Sequence, residues 1–432
     1  MNKTKMSKKS SSLTLKESEL IGDLVARPAL LYGFQTALKQ LQAVLRSRHS
    51  VSFETNPLNA MRSRVCSEDR LLLITGGRLC ALLARRLLCF NGECAVSRHN
   101  ASRLGTIVLS RRHFFPESLA TCVATVNGYI NWVLCVAFHP TAPLLATGSV
   151  ENGVKLLRMS SDNSSATCVA TLMHNCPVRF VAFHHTAPLL ATGGDNTVRL
   201  WLLSSDNSSA TCVATLEGHS SWVNSVAFHP TAPLLASGSS DNTVRLWLLS
   251  SDNSSATCVA TLAEHMGDVS SVAFHPTAPL LATGSFDNTV RLWLLSSDNS
   301  SATCVATLVG HSSAVSSVAF HPTAPLLATG SFDNTARLWL LSSDNSSATC
   351  VATLEGHSDG VTSVSFHPTA PLLATGSFDN TVRLWLLSCD NSSATCVATL
   401  EGHRDCVSSV AFHPTALLLA TGSFDKTAKL WR

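Results

Sequence analysis

The sequence has no uninterrupted apolar run long enough to cross a bilayer, for which about 20 residues are needed. Its first 12 residues are rich in lysine and serine and lack the apolar segment of a secretory signal, so we expect an intracellular protein, cytoplasmic or nuclear. Charged residues are also scarce, at 14% against 45% hydrophobic residues. This balance argues against wholesale disorder and favours a globular chain with an ample core.

Charge is distributed unevenly along the chain. Residues 1–118 contain 19 Lys and Arg against 8 Asp and Glu, a net charge of +11, whereas residues 119–432 contain 12 against 20, a net charge of −8. The basic character therefore belongs to the N-terminal region, in which we predict a disordered tail over 1–12 and a basic, mostly helical region of unknown type over 13–117. If the protein binds nucleic acid or a membrane, we expect it to do so only through residues 1–117.

Two features of the N-terminal region bear on its structure. Apolar residues recur at helical spacing over 13–48, and Leu71–Thr75 has the composition of a strand, whereas 91–117 has no pattern that we can classify. The region also contains residue types that can bind a metal, namely Cys80, Cys89, Cys94, His99 and His113. Only one pair of these cysteines approaches the close spacing that structural zinc sites use, so we predict no metal site.

One segment recurs seven times in the rest of the chain. The phenylalanine that opens each copy stands at a spacing of 45 or 46 residues, as Phe138, Phe183, Phe228, Phe274, Phe320, Phe366 and Phe412. Within the third copy, four short β-prone stretches at 210–216, 223–228, 233–239 and 243–249 are separated by turn residues. The pattern predicts one four-stranded unit repeated seven times.

These repeats resemble the WD-repeat β-propeller family over about residues 119–432. Gly218-His219, Asp241 and Trp247 stand at the offsets of that family, although Trp-Leu replaces the Trp-Asp dipeptide that gives it its name. The resemblance implies an all-β, seven-bladed propeller of 28 strands over 118–432, preceded by the small, mainly helical region. Residues 20–21 and 32–34 distantly resemble a dimerisation motif found ahead of some propellers, which would make the N-terminal helices a dimer contact.

The ring is expected to close through its first outer strand. Seven outer-strand segments begin at Ala120 and its equivalents, but the last copy ends at Trp431-Arg432 without a fourth strand of its own. The segment from Ala120 has no earlier copy to join, so it is predicted to complete the seventh blade and remove the open sheet edge.

Each repeat from the second onward contains a histidine, a hydroxyl residue, an aspartate and a tryptophan. An enzyme needs one catalytic site and this set occurs six times, so we interpret it as structural, with no catalytic residue and no cofactor; the resemblance implies a hydrogen-bonded tetrad. The sets are His174, Thr192, Asp195 and Trp201; His219, Ser237, Asp241 and Trp247; His265, Thr283, Asp287 and Trp293; His311, Thr329, Asp333 and Trp339; His357, Thr375, Asp379 and Trp385; and His403, Thr421, Asp425 and Trp431.

The first two repeats depart from this pattern. In the first, Tyr129, Glu151 and Leu157 replace the histidine, the aspartate and the tryptophan, so its tetrad is expected to be absent. The second is one residue shorter in the turn before Asp195 and has His185 in place of a proline. We therefore predict that blades 1 and 2 are the least stable part of the ring.

Positions that vary among near-identical copies indicate function, because the fold is expected not to require one residue type there. In the family, the residue before the turn aspartate and two near the start of the first strand are common partner-contact points, and exposed apolar arcs usually mark binding sites. The alternative is that the phenylalanines pack between blades. The predicted partner-binding residues are Trp132, Leu134, Arg179, Trp222, Asn224, Asp268, Phe286, Phe332, Phe378, Phe424, Arg404 and Asp405.

Seven cysteines occupy one equivalent position in successive repeats. Equivalent positions in stacked units are too far apart to form disulfides, so we interpret these cysteines as small buried hydrophobes in a reducing compartment. They are Cys122, Cys168, Cys212, Cys258, Cys304, Cys350 and Cys396.

The sequence thus favours a non-enzymatic scaffold that binds protein partners on one face of a propeller. A closed ring presents preformed loops, so little ordering entropy opposes binding. Two alternatives remain: a substrate-receptor subunit of a ubiquitin-ligase-type complex, by analogy with members of the family, and an RNA- or membrane-associated protein that uses the basic N-terminal region.

Overall fold

The computed structural model describes residues 71–75, 106–110, 120–151 and 153–432. The chain divides into two compact units, Met1–Glu117 and Ser118–Arg432. In the first unit, β1 (Leu71–Thr75) pairs antiparallel with β2 (Thr106–Ser110). The sequence pattern predicted β1 but not β2. The predicted tail, helices, dimerisation motif and metal-ligand candidates lie outside the described residues.

The second unit is a propeller of 28 strands in seven four-stranded antiparallel sheets, which confirms the predicted all-β architecture. The sheets are called blades 1–7, and the strands of a blade are counted from the first to the fourth in the order in which they pair. Blades 1–3 consist of β4 (Val133–Phe138), β5 (Leu144–Ser149), β6 (Gly153–Met159) and β7 (Ala166–Met173); β8 (Phe180–Phe183), β9 (Leu189–Gly193), β10 (Val198–Leu203) and β11 (Ala210–Leu216); and β12 (Val223–Phe228), β13 (Leu234–Ser239), β14 (Val244–Leu249) and β15 (Ala256–Leu262).

Blades 4–7 repeat this arrangement, and the seventh takes its fourth strand from the start of the unit. They consist of β16 (Val269–Phe274), β17 (Leu280–Ser285), β18 (Val290–Leu295) and β19 (Ala302–Leu308); β20 (Val315–Phe320), β21 (Leu326–Ser331), β22 (Ala336–Leu341) and β23 (Ala348–Leu354); β24 (Val361–Phe366), β25 (Leu372–Ser377), β26 (Val382–Leu387) and β27 (Ala394–Leu400); and β28 (Val407–Phe412), β29 (Leu419–Ser423), β30 (Ala428–Trp431) and β3 (Cys122–Val126).

The ring closes as predicted, because β3 pairs antiparallel with β30 in blade 7. Beyond the paired strands, Thr121 and Arg432 exchange two backbone hydrogen bonds of 2.8 and 3.0 Å. The first strands of successive blades contact one another all the way around, including β28 with β4. Closure therefore leaves no blade with an uncovered face. Pairing of β3 with β30 also covers a strand edge that would otherwise promote aggregation.

The core lies between the blades rather than within them. Leu246 and Val244 on β14 of blade 3 pack against Trp293 and Val272 of blade 4, and the same face-to-face arrangement recurs at the other interfaces. Both faces of a blade are thus covered by its neighbours. This explains why Leu246 and Trp247, consecutive residues of a third strand, are both buried but belong to the cores on opposite faces of the blade.

Histidines of the Phe-His turns add a second set of contacts between blades. Each imidazole lies edge-on to the phenylalanine of the next blade with ring centroids 4.9–5.0 Å apart, from His139 on Phe183 around to His413 on Phe138. The Nδ1 atom of His229 accepts hydrogen bonds from the backbone N–H groups of Thr231 and Ala232, and its equivalents do the same. The motif therefore fixes a turn and an interface at once.

The prediction that the seven repeated cysteines are buried is wrong. Six of them are exposed and Cys304 is half-buried. They lie on the fourth strand, which is the outer edge of each sheet, where a bulge leaves Val259 without a partner and sets Cys258 opposite Trp247. An edge strand is covered mainly from one side, so an apolar residue type there does not imply burial.

Candidate functional site

The tetrads of blades 3–7 form continuous hydrogen-bonded chains. In blade 3 the indole N–H of Trp247 donates to Ser237 Oγ, Ser237 donates to His219 Nε2, and His219 Nδ1–H donates to Asp241. The corresponding distances in the five blades are 2.8–2.9, 2.7–2.8 and 2.7–2.8 Å. In these five blades the indole N–H, the hydroxyl and both imidazole nitrogens of each tetrad have a partner.

The aspartate of each tetrad joins two loops. Asp287 accepts from the backbone N–H of Met266 through one oxygen and from Thr289 through the other. Burial raises the pKa of Asp287, but hydrogen bonds from Thr289 and His265 outweigh it and hold the pKa at about 2. Burial also lowers the pKa of His265 despite the neighbouring carboxylate. A neutral imidazole and an ionised carboxylate suit a structural joint.

Blade 2 contains only part of its predicted tetrad. His174 and Trp201 both bond to Thr192, at 2.9 and 2.7 Å, but the structure does not join Asp195 to His174. Asp195 accepts instead from Thr197 and from the thiol of Cys176. The turn before Asp195 is one residue shorter than in the other blades, and a Cβ on Gly194 would lie 1.9 Å from the Pro177 carbonyl oxygen.

Blade 1 retains two tetrad contacts, although the sequence predicted none. Tyr129 Oη and Thr147 Oγ1 lie 2.7 Å apart in the core, where the phenol takes the place of histidine. Glu151 accepts from the backbone N–H of Ile130, as the aspartate does elsewhere, and lies 3.6 Å from Lys155. Tyr129 and Glu151 are longer than the histidine and the aspartate that they replace, and they contact the equivalent partners.

The top face is defined as the side that carries the loops between blades and the turns between second and third strands. On this face the two kinds of variable position are direct neighbours. The N–H of the residue before the turn aspartate donates to the carbonyl of the residue that leads into the first strand, as in Phe378 to Gly360 (2.9 Å) and Ser240 to Trp222 (2.8 Å). Their side chains therefore share one small area in each blade.

In six blades, each of these pairs combines one aromatic residue with one smaller residue. Blades 4–7 have phenylalanine in the turn beside Asp268, Ala314, Gly360 and Cys406, whereas blades 1 and 3 have tryptophan beside Val150 and Ser240. Six of the seven blades thus present one aromatic ring at the top face. Blade 2 is the exception, because no side chain fits at Gly194.

Five of these rings form a continuous series, which we call the aromatic ladder: Phe286, Phe332, Phe378, Phe424 and Trp132. Successive ring centroids are 5.7, 5.4, 6.4 and 4.4 Å apart. Phe286 is 48% exposed and Trp132 is 44% exposed, and the three rings between them are half-buried. The rings therefore contact one another across blades and still present a surface to solvent.

Arg179 of blade 2 covers the sixth ring. Its guanidinium lies 4.1 Å from the ring centroid of Trp222, and its Nη1 donates to Asn224 Oδ1 at 3.1 Å. Trp222 remains 53% exposed. Burial lowers the pKa of Arg179, while the nearby carboxylate of Asp268 acts in the opposite direction. A cation stacked on an aromatic face thus occupies the gap that blade 2 leaves in the ring.

Asn224 was predicted to contact a partner, but the structure gives its amide a role between blades. Its Nδ2 donates to Ser240 Oγ and to the carbonyl of Val269 in blade 4. Hydroxyls at the equivalent positions do the same, as with Ser316 and Val361. The premise that the fold does not require these positions is therefore wrong for the polar ones, which tie first strands together.

A second set of ties uses serines one residue further on. Ser225 Oγ accepts from the backbone N–H of Val272 in the next blade at 3.1 Å, and equivalents occur at four more interfaces. At the interfaces on either side of blade 2, Cys135 and Phe180 replace the serine. Leu134 likewise has no side-chain donor. At the blade 1–2 interface Cys135 Sγ makes a 3.7 Å contact with the Val178 carbonyl, and the backbone N–H of Val178 donates to the Ser149 carbonyl at 3.0 Å.

The other predicted contact residues lie on the top face of blades 4 and 7. Asp268 and Asp405 are half-buried, and Asp405 accepts from the N–H of Cys406. Arg404 is exposed, and its backbone N–H donates to Asp425. Among the residues described here, no group of three potential metal ligands is found and no helix is long and apolar enough to cross a membrane.

Comparison with known families agrees with this geometry. A family model, "WD domain, G-beta repeat", matches residues 120–156, 166–201, 210–247, 256–293, 302–339, 348–385 and 394–432. Each matched segment covers the fourth strand of one blade and the first three strands of the next, and together the segments cover more than half of the chain. No curated protein matches the chain. Members of the family are generally non-enzymatic and typically serve as scaffolds for protein interactions. The chain belongs to the WD-repeat family and forms a seven-bladed propeller.

Proposed function

We propose that this protein is a non-enzymatic scaffold that binds other proteins on the top face of its propeller, through the aromatic ladder. The observation that carries the proposal is the half-exposed series of rings from Phe286 to Trp132, which spans five blades. Aromatic side chains of this kind lose little conformational entropy on binding and dominate the energetics of protein interfaces.

The tetrads support a scaffold rather than a catalyst. Their histidines, hydroxyls and aspartates are used in hydrogen bonds to one another and to the loops, and the same set recurs in five blades. This arrangement holds the top-face loops in place before any partner arrives, which reduces the entropic cost of binding. Arg404 and Asp405, beside the ladder on blade 7, would add charge complementarity.

The test compares the full-length protein with a ladder variant, Phe332→Ser/Phe378→Ser. Proteins captured from cell extract are quantified by mass spectrometry, and the melting temperature of each variant is measured. We expect a defined set of partners to be lost by about tenfold or more in the ladder variant while the melting temperature changes by only a few degrees, because the rings are not in the core between blades.

A matched control changes exposed apolar residues elsewhere on the ring. Leu248 and Leu294 are 38% and 39% exposed on the third strands of blades 3 and 4, and Leu248→Ser/Leu294→Ser removes similar apolar surface. This control should retain the partners. Equal capture by all three proteins would contradict the proposal, and unfolding of the ladder variant would show that the rings serve as core.

A further inference from the structure

An arginine on the third strand lies beside the repeated cysteine on the fourth strand in four successive blades, and three of these cysteines are exposed. Nη1 of Arg245 lies 3.5 Å from Cys258 Sγ, and the equivalent pairs in blades 4, 5 and 6 are 3.7, 4.0 and 3.9 Å apart. In all four arginines the Nε atom is buried and has no hydrogen-bond partner. Each guanidinium therefore has donor capacity left over, which is unusual for a buried polar atom.

Blade 4 shows which chemical group fits this position. Glu264, in the loop that leads to its first strand, accepts from Arg291 Nη1 at 2.7 Å. The equivalent residue is glycine in blades 3, 5 and 6, where a Cβ on Gly218, Gly310 or Gly356 would come within 2.6–2.8 Å of the arginine Nη1. The guanidinium thus lies over the glycine, and its own loop provides it with no carboxylate.

The neighbouring acidic residues do not replace Glu264. Glu217 and Glu355 directly precede the glycines of blades 3 and 6, and Val309 stands there in blade 5. Within the described part of the chain, no carboxylate lies within ion-pair distance of Arg245, Arg337 or Arg383, whereas Arg291 is paired. Three equivalent guanidinium groups on one side of the ring are thus unpaired beside an accessible thiol.

We propose that Arg245, Arg337 and Arg383 are binding sites for carboxylate side chains of an acidic segment of a partner protein, and that Glu264 fills the equivalent site of blade 4 from within the chain. Guanidinium groups bind carboxylates through paired, charge-assisted hydrogen bonds. One such pair near the surface contributes little, but three on a rigid ring engage one partner together and raise the overall affinity.

The adjacent thiols make the proposal testable site by site. Iodoacetate and iodoacetamide both alkylate a thiolate, whose sulfur attacks the methylene carbon as iodide leaves with the bonding electrons, but only iodoacetate carries a carboxylate. On the reduced, full-length protein, brief labelling with each reagent is followed by mass spectrometry of the individual cysteine peptides. The ratio of the two rates corrects for differences in the exposure of each thiol.

We expect the iodoacetate-to-iodoacetamide ratio at Cys258, Cys350 and Cys396 to exceed that at Cys304 by about two- to fivefold, the range of an exposed ion pair, and to fall with added salt. Arg245→Gln should lower the ratio at Cys258 alone. Glu264→Gly should raise the ratio at Cys304 to that of the other three, because it opens the fourth site without removing any core side chain.

A peptide probe tests the proposed partner chemistry directly. A ten-residue peptide with four glutamates should slow alkylation of Cys258, Cys350 and Cys396 by iodoacetamide, whereas its glutamine counterpart should not. Equal reagent ratios at all four thiols, or a ratio at Cys304 that does not respond to Glu264→Gly, would overturn the proposal. Protection by both peptides alike would do so too, since binding would not depend on the carboxylates.

Discussion

The indole ring of Trp132 in blade 1 stacks on the phenyl ring of Phe424 in blade 7, with centroids 4.4 Å apart and planes 13° apart. The two residues belong to blades that meet where the ring closes. Elsewhere in the ladder the rings are tilted or edge-on to one another. The closest contact in the candidate binding surface therefore also bridges the closure of the propeller.

The stack should contribute to stability as well as to binding. We expect Trp132→Ala and Phe424→Ala to show a coupling free energy of about 1 kcal/mol in a double-mutant cycle measured by urea denaturation, as aromatic pairs do. The control cycle pairs Phe424→Ala with Trp222→Ala, whose rings are in different parts of the top face. Its coupling should be within about 0.5 kcal/mol of zero, and the same coupling in both cycles would contradict the prediction.

Hydrogen exchange should reveal a weak segment around blade 2. Ser225 and Ser271 accept hydrogen bonds from the amides of Val272 and Val318 in the following blade. Cys135 and Phe180 stand at the equivalent positions before Val181 and Val226 and provide no such hydroxyl. We expect the amides of Val181 and Val226 to exchange faster than those of Val272 and Val318, because fewer ties oppose local opening. Uniform protection of the four amides would show that these hydroxyl contacts do not limit opening.

The blade architecture was predictable because it repeats. A period of 45 or 46 residues indicated seven units, and the missing fourth strand of the last copy indicated how β3 closes the ring. Such features depend on local turn chemistry and on strand patterning, which a single sequence contains. The stacked tryptophan and phenylalanine of the closure were both named as contact residues, but not as a pair.

Contacts between blades were not predictable in the same way. Ser225 and Val272 are 47 residues apart and Asn224 and Val269 are 45 apart, and nothing in the sequence indicates which hydroxyl or amide meets which backbone group. Exposure of the cysteines was missed for a related reason, because the bulge beside Cys258 depends on pairing in the folded sheet. Tertiary pairing decides these features, and residue type alone does not.

Removing a tetrad hydroxyl should cost more in a complete blade than in blade 1. Thr283→Val leaves both the Trp293 indole N–H and the His265 Nε2 without their partner. Thr147→Val removes one short contact, with Tyr129, and a long 3.4 Å contact with the Lys155 carbonyl. We expect losses in unfolding free energy of about 2–3 and about 1 kcal/mol, since each unsatisfied buried group is costly. Urea denaturation of the two variants provides the comparison, and equal losses would mean that the tetrad does not act as a chain.

The propeller should lose stability in mild acid, because burial lowers the pKa of many of its histidines. The affected residues include the tetrad histidines of blades 2–6 and the seven histidines of the Phe-His turns, and the pKa of His174 falls to about 4. A histidine whose pKa is lower in the folded protein binds more protons when unfolded. Stability should therefore be complete above pH 6.5 and fall progressively between about pH 6.5 and 4.

The turn histidines give this prediction a specific control. His229 and His275 accept two backbone hydrogen bonds each through Nδ1, so protonation of that atom would break the turn. In His229→Asn/His275→Asn the amide oxygen still accepts hydrogen bonds but does not titrate. We expect the slope of unfolding free energy against pH to decrease by up to about 1.4 kcal/mol per pH unit for each histidine removed. An unchanged slope in urea titrations between pH 4 and 8 would show that these turns do not contribute to acid sensitivity.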